Sequence, residues 1–201
     1  VTEAAVKLAR YTTDKKHMIY VGYHGGFGDY LSTTDKKGGV LPELDAWNHQ
    51  IPWRDWRARA EVLDAGGGGV AGIMVEVPPE YPTVSTEETA RLLREYRDTA
   101  HGQSGLFILD EIVTGLRYGE TGAQGMYGVQ ADLITMSKAL GNGYPVAALM
   151  GHGDLMQAFE HGTVFLSTTF GANPIGLAAA QATLHGLASR SHGHGALATW
   201  G

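Results

Sequence analysis

The sequence predicts an α/β fold, a mostly parallel sheet flanked by helices. Two near-continuous apolar runs, "VAGIMVEV" (70–77) and "GLFILDE" (105–111), have the pattern of strands buried on both faces. Between them lies "STEETARLLREYRDTAHG" (85–102), a capped segment with one apolar stripe at helical spacing. Strand, helix and strand in that order make a βαβ unit, with parallel strands and a right-handed crossover expected.

Each element follows from its own residues. The chain opens in a helical pattern, with Ala5, Leu8 and Ala9 in "TEAAVKLAR". The short apolar run "MIYVG" then leads into the glycine-punctuated "YHGGFGDY". "WNHQIPWRDW" gathers Trp47, Trp53 and Trp56 ahead of a helix at "RDWRARAEVL", which suits surface-to-core packing, with a partner surface as the sharper alternative. "AGGGGVAG" (65–72) invites a dinucleotide-loop reading, but that loop needs its glycines after a strand and opening a helix; here they precede the strand and make a connection. In 85–102, Ser85 and Glu88 fit a capping box, Leu92, Leu93, Tyr96 and Ala100 form the stripe, and Gly102 ends the helix. "ADLITMS" (131–137) and "VAALMG" (146–151) extend the sheet, and "NPIGLAAAQATLHGLA" (173–188) is a helix opened by Pro174.

Composition narrows the partners. A formal charge of −6 without any Lys/Arg-rich run excludes nucleic acid and anionic membranes as expected partners and leaves small molecules. No window approaches the ~18 apolar residues of a membrane span. The absence of cysteine removes disulfides and thiolate chemistry and fits a cytoplasmic protein. The two histidines of "SHGHG" (191–195) have no acids or cysteines at metal-ligand spacing beside them, so no metal is expected.

In open α/β sheets ligands bind beyond the carboxyl ends of the strands, and here those ends carry Glu76, Asp110 with Glu111, and Lys138 on one expected rim. Asp110 emerges directly from "LFIL", where a buried carboxylate calls for a cationic partner. Lys138 follows "LITM", and a lysine at a partly desolvated strand end can carry a neutral amine able to form a Schiff base. An aldehyde cofactor such as pyridoxal phosphate (PLP) needs that lysine. It also needs a carboxylate at its ring nitrogen, flat groups on both ring faces, and donors for its phosphate. Tyr23 after "MIYVG" is a candidate ring face or a core tyrosine, and His24 beside it is a candidate base or a residue that shapes the loop. Thr168 and Thr169 in "TTFGANP" precede a helix N-terminus, an arrangement suited to an anion or to ordinary capping.

These residues also carry a family resemblance. "LDEIVTGLRYGETGAQGMYGVQADLITMSKALGNGYPVAALMG", with "TEAAVKLAR", "YHG", "VEVPP" and "STTFGANP", resembles the class III, PLP-dependent aminotransferases, in the branch similar to glutamate-1-semialdehyde aminomutase. The resemblance implies a PLP-transferase fold of type I. Residues 1–175 would be the PLP-binding large domain, and 176–201 a helix and tail leading towards a small domain that the chain would lack, along with a phosphate-binding turn before residue 2. It implies Lys138 as the Schiff-base lysine, Asp110 at the ring nitrogen, Ile112 and Tyr23 on the two ring faces, and Glu76 near the substrate and the cofactor hydroxyl. Val113 stands where many members carry a glutamine that bonds that hydroxyl, and His24 adjoins the cofactor site. Thr169 would reach the phosphate across a homodimer interface. The implied activity is amino-group transfer, as transaminase or aminomutase, with a semialdehyde-like or amino-sugar-pathway substrate. The alternative is a PLP-fold fragment or paralogue that no longer catalyses and serves as a binding or assembly module.

Overall fold

The computed structural model describes residues 1–55, 69–77 and 85–189. Helix α1 (Thr2–Thr13) leads into β1 (His17–Val21), the short α2 (Gly28–Ser32), a 3-10 turn (Pro42–Ala46) and β2 (Asn48–Gln50). Then come β3 (Val70–Glu76), α3 (Thr86–Gly102), β4 (Leu106–Glu111), α4 (Gly122–Tyr127) and β5 (Leu133–Met136). A second 3-10 turn (Lys138–Leu140), β6 (Ala148–Gly151), α5 (Gly153–Glu160) and α6 (Pro174–Ala188) complete the order. The strands form one sheet in the order β2-β1-β3-β4-β5-β6, parallel except for β6, which pairs antiparallel with β5. The predicted strands and helices over 70–77, 85–102, 105–111, 131–137, 146–151 and 173–188 are all present, within a few residues at their ends. The predicted helix at "RDWRARAEVL" from Trp56 onward, Gly66–Gly68 of the glycine run, Pro78, Pro79 and the "SHGHG" tail lie outside the described residues.

Alternation along the strands explains the two apolar runs. Ile19, Val21, Ile73, Val75, Phe107 and Leu109 pack on one face with Leu92, Leu93, Tyr96 and Ala100 of α3. Met18, Tyr20, Met74 and Ile108 pack on the other face with Ala5, Leu8 and Ala9 of α1. A strand covered on both faces has no polar side to present, so its sequence reads as continuous apolar residues. Ser85 caps α3 by accepting the Glu88 N–H at 3.2 Å, while the Glu88 carboxylate accepts from Arg54 at 3.1 Å. Asn173 caps α6, with Pro174 in its first turn. Among the described residues no helix is long and apolar enough to cross a membrane.

Candidate active site

Four parallel strands deliver their carboxyl ends to one rim. β1 runs into Gly22, Tyr23 and His24; β3 ends at Glu76; β4 ends at Asp110 and Glu111; β5 leads through Ser137 to Lys138. Side chains two residues apart share a face. Glu76, Asp110 and Thr135 therefore follow Met74, Ile108 and Leu133 onto the α1 side, whereas Glu111 follows Leu109 onto the α3 side.

Asp110 is only 2% exposed, and its carboxylate is well partnered. Oδ1 accepts from the Ile112 N–H at 3.1 Å and the Thr135 hydroxyl at 2.9 Å, and Oδ2 lies 2.8 Å from His24 Nδ1. The second ring nitrogen of the buried His24, Nε2, is 3.1 Å from the Val21 carbonyl oxygen. With an oxygen at each nitrogen, both contacts are donations only for a ring protonated at both positions. The His24 imidazole is thus the partner the fold sets against the Asp110 carboxylate, buried beneath the rim.

Glu76 is half-buried, and its Oε2 accepts the Tyr23 N–H at 2.9 Å. Burial raises its pKa; the Tyr23 bond opposes this, the charge of Asp110 adds to it, and His24 and Lys138 pull it back. The last three influences put Asp110, His24, Lys138 and Glu76 in one electrostatic neighbourhood. Gly22 makes the approach geometrically feasible: its φ is +101° and a Cβ there would stand 2.9 Å from that of Glu76. The Tyr23 ring beyond it is 64% exposed and braced edge-on by Tyr30, at 5.8 Å between centroids. Ile112 and Val113, both half-buried, follow β4 directly.

Lys138 differs from expectation. It lies two residues past the end of β5 and is exposed, so in this chain the strand end does not desolvate it. Its backbone is left-handed, with φ +37°, a costly conformation for a residue with a side chain. The surroundings hold it there: the Ser137 hydroxyl donates to the Val146 carbonyl at 2.7 Å, and the Lys138 carbonyl accepts the Gly141 and Asn142 N–H groups at 3.1 Å.

Two acids expected together are separated. Glu111, also buried, turns away from the rim and accepts from Ala123 N–H at 2.8 Å, Gln124 N–H at 3.1 Å and the Thr114 hydroxyl at 3.1 Å. Thr169 is exposed in the segment 165–173 and, among the described residues, has no hydrogen bond to the rim. Thr168 instead lines a cleft of about 690 Å³ with Val1 and Ala4 of the α1 end, Ser137, Val146 and Asn173. Sequence reasoning missed Thr135; the available signal was its position two residues after Leu133, on the face Asp110 shares.

A profile of the family described as Aminotransferase class-III matches residues 1–194. The chain belongs to the class III aminotransferases. Among curated class III relatives, glutamate-1-semialdehyde 2,1-aminomutase of Methanoculleus marisnigri is 36% identical over 92% of this chain and 47% of its own length. 3-Aminobutyryl-CoA aminotransferase of Cloacimonas acidaminovorans is 35% identical over 91% of this chain and 44% of its own. A solved structure described as a transaminase with PLP bound superposes with a TM-score of 0.82 at 24% identity, over 95% of this chain and 49% of that one, which fixes the fold. The chain spans about half the length of the curated relatives it matches.

Proposed function

We propose that this chain is the PLP-binding large domain, residues 1–175 with the helix and tail of 176–201 leading towards a small domain, of a cytoplasmic enzyme. The enzyme transfers an amino group between an amine or amino acid and a ketone or aldehyde, as transaminase or aminomutase. The observation that carries the reading is the rim, where Tyr23, Glu76, Asp110 and Lys138 follow the carboxyl ends of four parallel strands.

The residues fit the cofactor. Three hydrogen bonds occupy three of the roughly four acceptor positions of the Asp110 carboxylate, leaving one for a protonated ring nitrogen. The exposed Tyr23 ring and the half-buried Ile112 and Val113 suit the two faces of a flat ring. PLP supplies an aldehyde that condenses with amines and a ring that draws electrons from the substrate α-carbon. Lys138 would hold the cofactor aldehyde through Nζ and, as a free amine, would take the proton from the substrate α-carbon onto that nitrogen and pass it on to the cofactor. Asp110 holds the ring nitrogen's proton, and the His24 ring below keeps that carboxylate oriented. Glu76 sits where it holds or yields a proton near the substrate.

A homodimer completes the reading. Phe165, Leu166, Phe170 and Ile175 are each more than half exposed, an apolar patch that supports a second copy seated on it. Thr169 within that segment then serves the phosphate of the neighbouring subunit. The test is a panel of amino donors offered to the PLP-loaded chain: amine transfer that disappears in Lys138→Ala is the expected result. A chain that binds PLP and transfers no amine from any donor would favour the binding-module alternative.

A further inference from the structure

The Asp110 carboxylate has two chemically equivalent oxygens that the fold makes unequal. Oδ1 accepts twice, from the Ile112 N–H at 3.1 Å and from the Thr135 hydroxyl at 2.9 Å. An oxygen of a carboxylate offers two acceptor positions, so Oδ1 is full. Oδ2 accepts once, from His24 at 2.8 Å, and keeps one position open among the described residues. The Ile112 bond is local, since an acid accepting the N–H two residues on is a common turn contact that forms whichever way the strand packs. Thr135 is different: it stands on the neighbouring strand, its Cα in register with that of Asp110, and is fully buried.

We propose that Thr135 is a positioning residue for the cofactor: by filling the last acceptor position of Oδ1 it assigns Oδ2 as the atom that meets the ring nitrogen. The inference rests on the PLP reading above and deepens it. Without the hydroxyl, Oδ1 and Oδ2 each keep one open position, and the carboxylate can turn so that either faces the ring. The anchoring of the ring nitrogen's proton then weakens. A side chain that only filled space would have no such effect, because valine occupies nearly the same volume as threonine.

The test compares wild type, Thr135→Val and Thr135→Ser, using PLP labelled with 15N in its ring. Thr135→Val is expected to bind PLP about tenfold more weakly, the loss of one hydrogen bond to a charged group. Its ring 15N resonance is expected to move towards the unprotonated position. Thr135→Ser, which keeps the hydroxyl, is expected to restore both. Thr135→Ala carries the same expectation as the valine variant, which covers a failure of valine to fold. Wild-type affinity and an unmoved 15N resonance in folded Thr135→Val or Thr135→Ala would overturn the inference while leaving the cofactor reading intact. A wild-type chain that binds no PLP would overturn the cofactor reading and this inference with it.

Discussion

Asp110 and Glu111 are consecutive buried acids at the end of one strand, and they do opposite things. Asp110 faces the α1 side, with an imidazole for a partner and, among the described residues, one acceptor position open. Glu111 faces the α3 side, where two backbone N–H groups at the start of α4 and a threonine hydroxyl hold it. Gly122, at φ +61°, has no room for a Cβ beside that carboxylate. A carboxylate enclosed by neutral donors of its own chain ties α4 to β4 and so fixes the segment that starts with Ile112. Each carboxylate accepts three hydrogen bonds, two at one oxygen and one at the other, so neither burial nor the number of bonds marks the functional acid. What separates them is partner and place: Asp110 shares its neighbourhood with His24, Glu76 and Lys138 at the rim, whereas Glu111 is tied to the start of α4.

The contrast can be broken at either residue. Asp110→Asn should lower amine transfer on the order of 10²- to 10³-fold, as removing one preorganised electrostatic partner does elsewhere. Its thermal midpoint should fall as well, because the amide sets a donor against the Ile112 N–H or the His24 ring; the mark of the site is that the rate per folded molecule also drops, which rate assays and melting curves on the same preparation will check. Glu111→Gln should lose stability alone. Its amide must set a donor against the Ala123 or Gln124 N–H, so urea unfolding should find a loss of about 3 kcal/mol, while the rate per folded molecule holds. Gly122→Ala, strained in φ and crowded by the same carboxylate, should lose about 2 kcal/mol in the same assay. The smallest effect belongs to a control remote from both acids. His17 and His49, whose rings stack with Nδ1 and Nε2 2.9 Å apart, have pKa values lowered by burial, with Arg10 and Lys16 adding to the first and His17 to the second. The unfolded chain therefore binds more protons below its ordinary value of 6.5, and stability should fall as pH drops through that window. His49→Gln should flatten that slope by less than about 1 kcal/mol and leave cofactor binding unchanged.

Much of this was legible in the residues. The βαβ unit and α6 were readable because burial on both strand faces and a capped apolar stripe leave direct marks on composition. Strand β2 was not, because its three residues, Asn48, His49 and Gln50, form a polar edge paired, among the described residues, only with β1. The antiparallel direction of β6 was equally hidden, since direction is a property of register and not of apolar content. Lys138 and Asp110 were legible as charged residues issuing from apolar runs. The partners that define Asp110 were not: His24 is 86 positions away and Thr135 is 25, and only folding brings them to one carboxylate. The separation of Asp110 from Glu111 could have been read from strand alternation, but the amides that hold Glu111 lie 12 and 13 residues downstream in a helix too short to show a period.

The most direct test is to load the chain with PLP, reduce it with borohydride, digest it and locate the pyridoxyl group by mass spectrometry. The account predicts a single modified site at Lys138, absent from Lys138→Ala and weakened in Asp110→Asn. Modification at another lysine, or an equal yield in Lys138→Ala, would contradict it.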